Sequence, residues 1–162
     1  MNHDEQPRLN FMQHMPKLVN KLQALSAATT EHLASSLSLL VDIRASQMNG
    51  CAFCLDMHVK EAMLHNERAL RLHHVAVWRE SPLFTPKERA ALAWTEALTR
   101  ISSIGVAEDL YAETLDHFSE PELVALTFRV MNINAWNRLN VAFRTVPGSH
   151  DKALGLDKAG LA

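Results

Sequence analysis

Apolar residues recur along this chain at spacings of three and four, and the strict alternation that marks a half-buried β-strand is almost absent. Such spacing places apolar side chains on one stripe of an α-helix. Good helix formers such as Leu, Ala, Met, Glu and Arg dominate the sequence, and only 5 of its 162 residues are glycine. The pattern therefore predicts an all-α protein.

Local start and stop signals divide the chain into about seven helices. Asn49-Gly50 is typical of a helix C-terminus, because glycine readily adopts the left-handed conformation found there. Thr85-Pro86-Lys87-Glu88 and Ser119-Glu120-Pro121-Glu122 each combine a capping residue, an early proline and an acidic third position, which together mark a helix start. The predicted helices span about residues 16–28, 30–46, 51–65, 66–75, 85–101, 106–118 and 119–143.

The length of 162 residues suits one domain and leaves little room for a second. Apolar residues make up 48% of the chain and charged residues 21%, the balance of a globular protein that can bury a core without disulfide staples. We expect one helical bundle over residues 1–162, with its core at about residues 15–145 and a loosely held tail from His150.

The charge distribution argues against polyanionic partners. The formal net charge is -2, and no block of Lys or Arg forms a patch for nucleic acid or a membrane surface. The polar, acidic start is unlike a signal peptide, and no apolar run approaches the ~20 residues of a bilayer span. We therefore expect a cytoplasmic protein. In that compartment a close Cys pair is catalytic or metal-binding rather than structural.

The two cysteines, Cys51 and Cys54, lie three positions apart, and His58 follows four positions later. On a helix of ~3.6 residues per turn the three side chains fall within a stripe roughly 60° wide. The break at Asn49-Gly50 puts the cysteines in the first helical turn, where unpaired N–H groups favour a negative charge. In such motifs thiol pKa values fall from ~8.5 to about 3.5–7.5, so a nucleophilic thiolate is available at neutral pH.

Position along the helix suggests a role for each of these residues. Cys54 lies nearer to His58 and is the candidate attacking thiolate, which becomes a sulfenic acid when it meets a peroxide. Cys51 is the candidate resolving thiol, which forms the Cys51–Cys54 disulfide. His58 is the candidate proton acceptor and donor. Glu61 could orient the imidazole, or could equally be a solvated surface residue.

Two other interpretations of the Cys pair stay open on the residues alone. A buried pair can be an inert part of the core. A structural zinc site needs four ligands, so the two thiols and His58 would require a fourth from His65, His73, His74 or His117. No Gly-rich phosphate loop or haem-attachment motif is present, and we expect neither a cofactor nor a resident metal.

The fifteen residues from Arg44 to His58, RASQMNGCAFCLDMH, closely resemble the signature of the AhpD-like alkylhydroperoxidase / carboxymuconolactone decarboxylase family. They are most similar to its peroxidase-related subgroup. The similarity continues through residues 78–84, 88–94 and 133–138, so that it covers roughly residues 15–145.

The resemblance implies an AhpD-like helical bundle that assembles into a homo-oligomer, a trimer or hexamer. It also implies peroxidase activity that depends on the Cys pair, with a small hydroperoxide as substrate and a dithiol, on a protein or a lipoyl group, as electron donor. By the motif, Cys54 forms the sulfenic acid, Cys51 resolves it and His58 relays the proton. The decarboxylase branch of the family lacks the Cys pair, so decarboxylation is not expected.

One position departs from the pattern of the well-studied peroxidases, which carry a glutamate twelve residues before the first cysteine. Leu39 stands at that position here. Asp42 or Glu31 could replace the acid from the same preceding helix, although Asp42 lies about 60° from position 39 around an α-helix. Without the acid we expect slower turnover or a different oxidant.

A segment near the end of the last long helix is the other candidate for the site. Trp136 and Arg138 could line a mouth beside the thiols, and Asn134 or Asn137 could hydrogen-bond a substrate. The alternative for all four residues is helix packing, capping or a subunit contact.

The leading functional hypothesis is a hydroperoxide reductase acting through Cys54, Cys51 and His58. The nearest alternative is a dithiol–disulfide oxidoreductase for a protein or lipoyl partner, which uses the same thiols but is indifferent to peroxides. A third is a non-catalytic redox-sensing oligomer, which the leucine at position 39 keeps open.

Overall fold

A computed structural model of the protein describes residues 6–161, which form nine α-helices and two short 3-10 segments. Seven of the helices have six or more residues, and no strand occurs in this part of the chain, which confirms the predicted all-α bundle. The nine helices are α1 (Phe11–His14), α2 (Pro16–Thr29), α3 (Ser35–Asn49), α4 (Ala52–Leu64), α5 (Ala69–His74), α6 (Pro86–Thr99), α7 (Glu108–Leu115), α8 (Glu120–Phe143) and α9 (Asp151–Leu154).

Two predicted helix starts are confirmed as capping boxes. The Thr85 hydroxyl accepts from the backbone N–H of Glu88, and the Glu88 carboxylate accepts from the backbone N–H of Thr85. Ser119 and Glu122 form the corresponding pair at the start of α8. Each box satisfies N–H groups that have no partner within the helix, so the local sequence determines where α6 and α8 begin.

The predicted break at Gly50 is confirmed and has a direct consequence for the cysteines. Gly50 has a φ of 64°, a left-handed conformation that most side chains disfavour. The Cys51 N–H then donates to the carbonyl of Ser46 at 3.0 Å, which closes the end of α3. Because the chain reverses within these two residues, Cys51 becomes the N-cap of α4.

Helix α3 begins later than its sequence pattern predicts, at Ser35 rather than Thr30. The backbone N–H groups of Glu31 and His32 donate to carbonyls three residues back, which makes a tight turn between α2 and α3. This turn lets α3 run back through the centre of the bundle, where it packs against α4, α6 and α8.

The core lies on both sides of α3, nine of whose fifteen residues are buried. One apolar cluster joins α3 to α6 and α8 and includes Val41, Trp94 and Leu126. The other joins α3 to α4 and α6 and includes Ile43 and Leu92. None of the helices in residues 6–161 combines the length and apolar composition needed to cross a bilayer.

The tail from His150, for which we predict loose attachment, forms short helical segments that contact α4. Residues 151–159 form α9 and a 3-10 segment that packs on α4, and Leu156 is buried there. The Lys60 ammonium donates to Asp151 at 2.7 Å, while the Gly148 N–H donates to Asp56 at 3.0 Å. These contacts join positions about ninety residues apart, which local sequence signals do not reveal.

Candidate active site

Cys51 and Cys54 form a disulfide at the N-terminus of α4. The Cys51 sulfur also accepts from the backbone N–H of Cys54 at 3.3 Å, which makes Cys51 a side-chain cap of the helix. Cys51 is 2% exposed and Cys54 is 1% exposed. The sulfurs therefore lie at the positive end of a helix dipole and are shielded from bulk water, two conditions that alter thiol reactivity.

A small apolar cluster, separate from the two main ones, surrounds the disulfide. Its buried members besides the cysteines are Ala45, Phe53 and Ile133, with Met57 and Trp136 packed against it. Trp136 is thus close to the thiol motif, as one of the two predicted interpretations requires. The bond is buried among apolar side chains of α3, α4 and α8.

His58 is buried on α4, and carboxylates contact one of its ring nitrogens. Nδ1 is 3.1 Å from Glu61 Oε2 and 3.7 Å from Asp42 Oδ2. Because a carboxylate accepts, Nδ1 carries a hydrogen, and Nε2 is the acceptor in the neutral ring. His58 therefore presents an Nε2 that is free to accept a proton, while Nδ1 is held by acidic side chains.

Asp42 is itself held by Arg129, and both residues are buried. The Arg129 guanidinium donates through Nε and Nη2 to the two Asp42 oxygens, and its Nη1 donates to the Ser26 hydroxyl at 2.8 Å. Burial lowers the pKa of Arg129, but Asp42, with a smaller contribution from Glu61, outweighs it and raises the pKa above its usual value. The pair joins α3 to α8 next to His58.

Glu61 is the more exposed of the two acids, with 41% of its side chain accessible. Its hydrogen bond with His58 is the main reason that its pKa lies below the ordinary value, although partial burial opposes the shift. Glu61 is therefore ionised at neutral pH and connects His58 to solvent. The structure brings His58, Glu61 and Asp42 together, and His58 lies one helical turn after Cys54 on α4.

Leu39, where the resembling peroxidases have a glutamate, is buried in the apolar cluster between α3, α4 and α6. Asp42, less than one turn further along α3, faces His58 instead. Glu31 lies exposed in the turn before α3. Of the two candidate replacements, Asp42 is the one that approaches the imidazole.

Arg138 does not join the site. It is exposed and donates to the carbonyl and the side-chain oxygen of Asn134, at 2.9 and 2.8 Å, on its own helix. Asn134 and Asn137 both accept from Asn49 at the end of α3. The amides of Asn134 and Asn137 are thus used in packing α8 against α3, which matches the packing interpretation.

Asn140 is a site residue that the sequence reasoning missed. Its Nδ2 is 3.5 Å from the Cys54 sulfur and 2.9 Å from the carbonyl of Trp136. A signal for it existed, because Asn140 lies seven positions after Ile133 and four after Trp136, on the apolar stripe of α8. A polar side chain at such a core position requires a partner.

The geometry does not support the interpretation of the Cys pair as part of a zinc site. In the part of the chain that the structure describes, no group of three His, Cys, Asp or Glu side chains is arranged to hold a metal ion. His65, one candidate fourth ligand, is exposed, and its Nδ1 instead contacts the Glu61 carbonyl at 2.9 Å.

A model of the carboxymuconolactone decarboxylase family matches residues 14–97, just over half of the chain. The uncharacterised Bacillus subtilis protein YdfG is 41% identical over 103 residues, which are 64% of this chain and 70% of YdfG. The segment matched by the family model includes both cysteines and His58.

Two solved structures share the fold. A protein of unknown function from Agrobacterium tumefaciens, described as a candidate antioxidant defence protein AhpD, is 37% identical with a TM-score of 0.83, over 88% of this chain and 98% of that one. The debrominase Bmp8 is 20% identical with a TM-score of 0.75, over 91% of this chain and 80% of that one, and this likeness concerns the fold alone.

Proposed function

This chain belongs to the carboxymuconolactone decarboxylase family, within its AhpD-like members, and on that premise we propose that it is a thiol-dependent hydroperoxide reductase. The observation that carries the proposal is a disulfide at a helix N-terminus with a buried histidine one turn further along. The Nδ1 of that histidine faces two carboxylates, Glu61 and Asp42. A dithiol gives up two electrons when it becomes a disulfide, and the histidine moves a proton during the reaction.

In the reduced enzyme, Nε2 of His58 accepts the Cys54 thiol proton. The thiolate attacks the terminal oxygen of the hydroperoxide, the O–O bond breaks, and Cys54 becomes a sulfenic acid. The departing alkoxide takes the proton from His58 and leaves as an alcohol. Cys51 then attacks the sulfenic sulfur, water departs, and the Cys51–Cys54 disulfide forms. A dithiol donor supplies two electrons and two protons to restore both thiols.

The two acids have different tasks in this proposal. Asp42, whose two carboxylate oxygens accept hydrogen bonds from Arg129, orients the imidazole from the α3 side. Glu61, which contacts solvent, accepts the hydrogen bond of Nδ1 and stabilises the imidazolium until Nε2 gives its proton to the alkoxide. Together they replace the glutamate that the resembling peroxidases carry at the position of Leu39.

The burial of both sulfurs favours slender reactants. A small hydroperoxide reaches a sulfur that is 1% exposed more readily than the surface disulfide of a folded protein does. The same reasoning favours a dithiol donor on an extended arm, such as a lipoyl group, over a rigid protein dithiol. Exchange with a dithiol partner without peroxide reduction is the competing function, since it uses the same thiols.

Stopped-flow oxidation of the reduced protein by an alkyl hydroperoxide tests the proposal. The wild type should react far faster than a free thiol, Cys54→Ser should not react, and Cys51→Ser should stop at the sulfenic acid. His58→Ala should slow the reaction by about 100-fold or more. His73→Ala, which changes an exposed histidine, is the matched control. A wild-type rate equal to that of a free thiol contradicts peroxide reduction, and fast exchange with dihydrolipoamide would then favour the competing function.

We also propose that the chain forms a homo-oligomer, a trimer or hexamer. The supporting observation is a row of exposed apolar side chains on the outer face of α8, Val124, Phe128 and Met131, each at least 44% accessible. With Tyr111 and Leu115 of α7 they line a groove of about 420 Å³. A contiguous apolar surface of this kind is typical of a protein–protein contact.

A further inference from the structure

Asn140 places a side-chain amide against the sulfur that the proposed reaction uses. It lies one turn before the end of α8, is 4% exposed, and is separated from Cys54 by 86 positions in the chain. Its Nδ2 meets the Cys54 sulfur at 3.5 Å. The Cys51 sulfur, by contrast, accepts from the backbone N–H of Cys54. The amide contact therefore distinguishes Cys54 from Cys51.

The orientation of this amide follows from its second partner. The carbonyl of Trp136, 2.9 Å from Nδ2, can only accept, so the nitrogen of the amide must face it. The second hydrogen of Nδ2 is then directed to the Cys54 sulfur. The oxygen, Oδ1, is buried and has no hydrogen-bond partner among the described residues. A buried acceptor without a hydrogen-bond partner lowers the stability of the fold, so such atoms are rare and often have a functional role.

The chemical state of the sulfur changes the strength of this contact. A disulfide sulfur is a weak acceptor, whereas a thiolate is charged, and hydrogen bonds to charged groups are roughly twice as strong as neutral ones. The Asn140 N–H therefore stabilises Cys54 more after reduction than in the disulfide. Low polarity around the sulfur, from Phe53 and Ile133, strengthens the effect further.

We propose that Asn140 is a catalytic residue of hydroperoxide reduction, an inference that rests on the function proposed above. Its N–H group holds the attacking Cys54 thiolate, and its Oδ1 accepts a hydrogen bond from the O–H of the hydroperoxide. That hydrogen stays on the terminal oxygen when the O–O bond breaks and the S–O bond forms, so it becomes the hydroxyl hydrogen of the sulfenic acid. Oδ1 thus aims the reacting oxygen at the sulfur throughout the transfer.

The first test measures the Cys54 thiol without any peroxide. In a Cys51→Ser background, the ultraviolet absorbance of the thiolate gives the pKa of Cys54, which should rise by about one unit in Asn140→Leu. Asn140→Asp, which nearly preserves the shape but replaces the donor by a charge, should raise it further. Circular dichroism establishes that each variant is folded. The charged groups around His58, namely Glu61, Asp42 and Arg129, are not substituted in any of these variants.

The second test uses an alkyl hydroperoxide and the same variants. At neutral pH, Asn140→Leu should react with the hydroperoxide about tenfold more slowly than its parent. The rate should stay lower than that of the parent at a pH where Cys54 is fully ionised, because the variant also lacks Oδ1. Asn132→Leu, a buried amide of α8 that bonds the Leu22 carbonyl, is the control and should keep the parental pKa and rate.

Unchanged pKa and rate in both Asn140 variants would overturn the inference. A raised pKa with a normal rate at high pH would overturn the role of Oδ1. If the parent itself does not reduce hydroperoxides, the proposed function fails, while the thiol pKa still reports on the Asn140 donor.

Discussion

Arg129 of α8 donates through two nitrogens to the carboxylate of Asp42 on α3, and this buried pair lies directly behind His58. Removing one member leaves the other charge buried without compensation, which is more costly than the pair itself is stabilising. We expect Arg129→Met to lower the free energy of unfolding by about 3–5 kcal/mol, measured by urea denaturation.

The exposed Arg138 on the same helix provides the control for this prediction. Arg138→Met should change the free energy of unfolding by less than about 1 kcal/mol. The double variant Asp42→Leu with Arg129→Met should regain part of the stability lost in Arg129→Met, because no unpaired charge remains. A loss in Arg129→Met no larger than that in Arg138→Met would show that the pair is unimportant for stability.

Glu61 and Asp42 should affect catalysis differently. Glu61→Gln removes the charge that faces Nδ1 of His58 and leaves the Arg129 pair intact, so hydroperoxide reduction should slow by about tenfold while stability changes little. Asp42→Asn should lower both stability and rate. Glu80→Gln, at an exposed carboxylate, is the control. Equal rates in Glu61→Gln and wild type would show that Glu61 does not assist His58 in the reaction.

The capping box of α8 should contribute stability that depends on pH. Lys87, together with the Ser119 N–H and hydroxyl, lowers the pKa of Glu122 to about 2. Because the folded-state pKa lies below the ordinary value of 4.5, the contribution is present above pH 4.5 and is lost as the pH falls towards about 2. We expect Glu122→Gln to cost about 1 kcal/mol at pH 7.

This cost is measured as the difference in unfolding free energy between wild type and Glu122→Gln. The difference should shrink steadily as the pH falls below 4.5. A difference that stays constant down to pH ~2.5 would show that the Glu122 carboxylate titrates normally in the folded state.

The docking of the C-terminal segment on α4 depends on Lys60. Asp151→Ala leaves this buried ammonium with Asp56 as its remaining acidic partner, so the free energy of unfolding should fall by about 1–3 kcal/mol. Backbone amides of residues 148–160 should exchange hydrogen faster than in wild type. Asp157→Ala, an exposed change in the same segment, should have neither effect. Unaltered exchange in Asp151→Ala would mean that the Lys60–Asp151 contact is not needed to hold the segment on α4.

The outer face of α8 should carry the contact between subunits. Phe128→Glu places a charge among exposed apolar side chains, so sedimentation should show a smaller assembly than wild type at equal concentration. Lys152→Glu, on exposed α9, is the matched control. A wild-type protein that sediments as a monomer would contradict the proposed oligomer itself. A Phe128→Glu variant that sediments like wild type would show that the subunit contact lies elsewhere on the surface.

Interactions between residues close together in the sequence made much of the secondary structure predictable. Helix periodicity, the two capping boxes and the left-handed Gly50 act over a few residues, so they predicted the all-α class and the position of Cys51 at a helix start. The Cys51–Cys54–His58 stripe follows from the geometry of one helix. The start of α3 was misplaced because residues 30–34, although compatible with a helix, form a turn that the return of the chain requires.

The rotation of each helix about its axis was decided only by tertiary packing. Once Leu39 packs into the apolar cluster between α3, α4 and α6, Asp42 is turned towards His58 and Arg129. The seating of α8 against α4 likewise brings Asn140 to a cysteine 86 positions away. Periodicity identifies which face of a helix is apolar but does not say which partner that face meets. The acids around His58 and the amide at Cys54 are therefore consequences of how the apolar faces fit together.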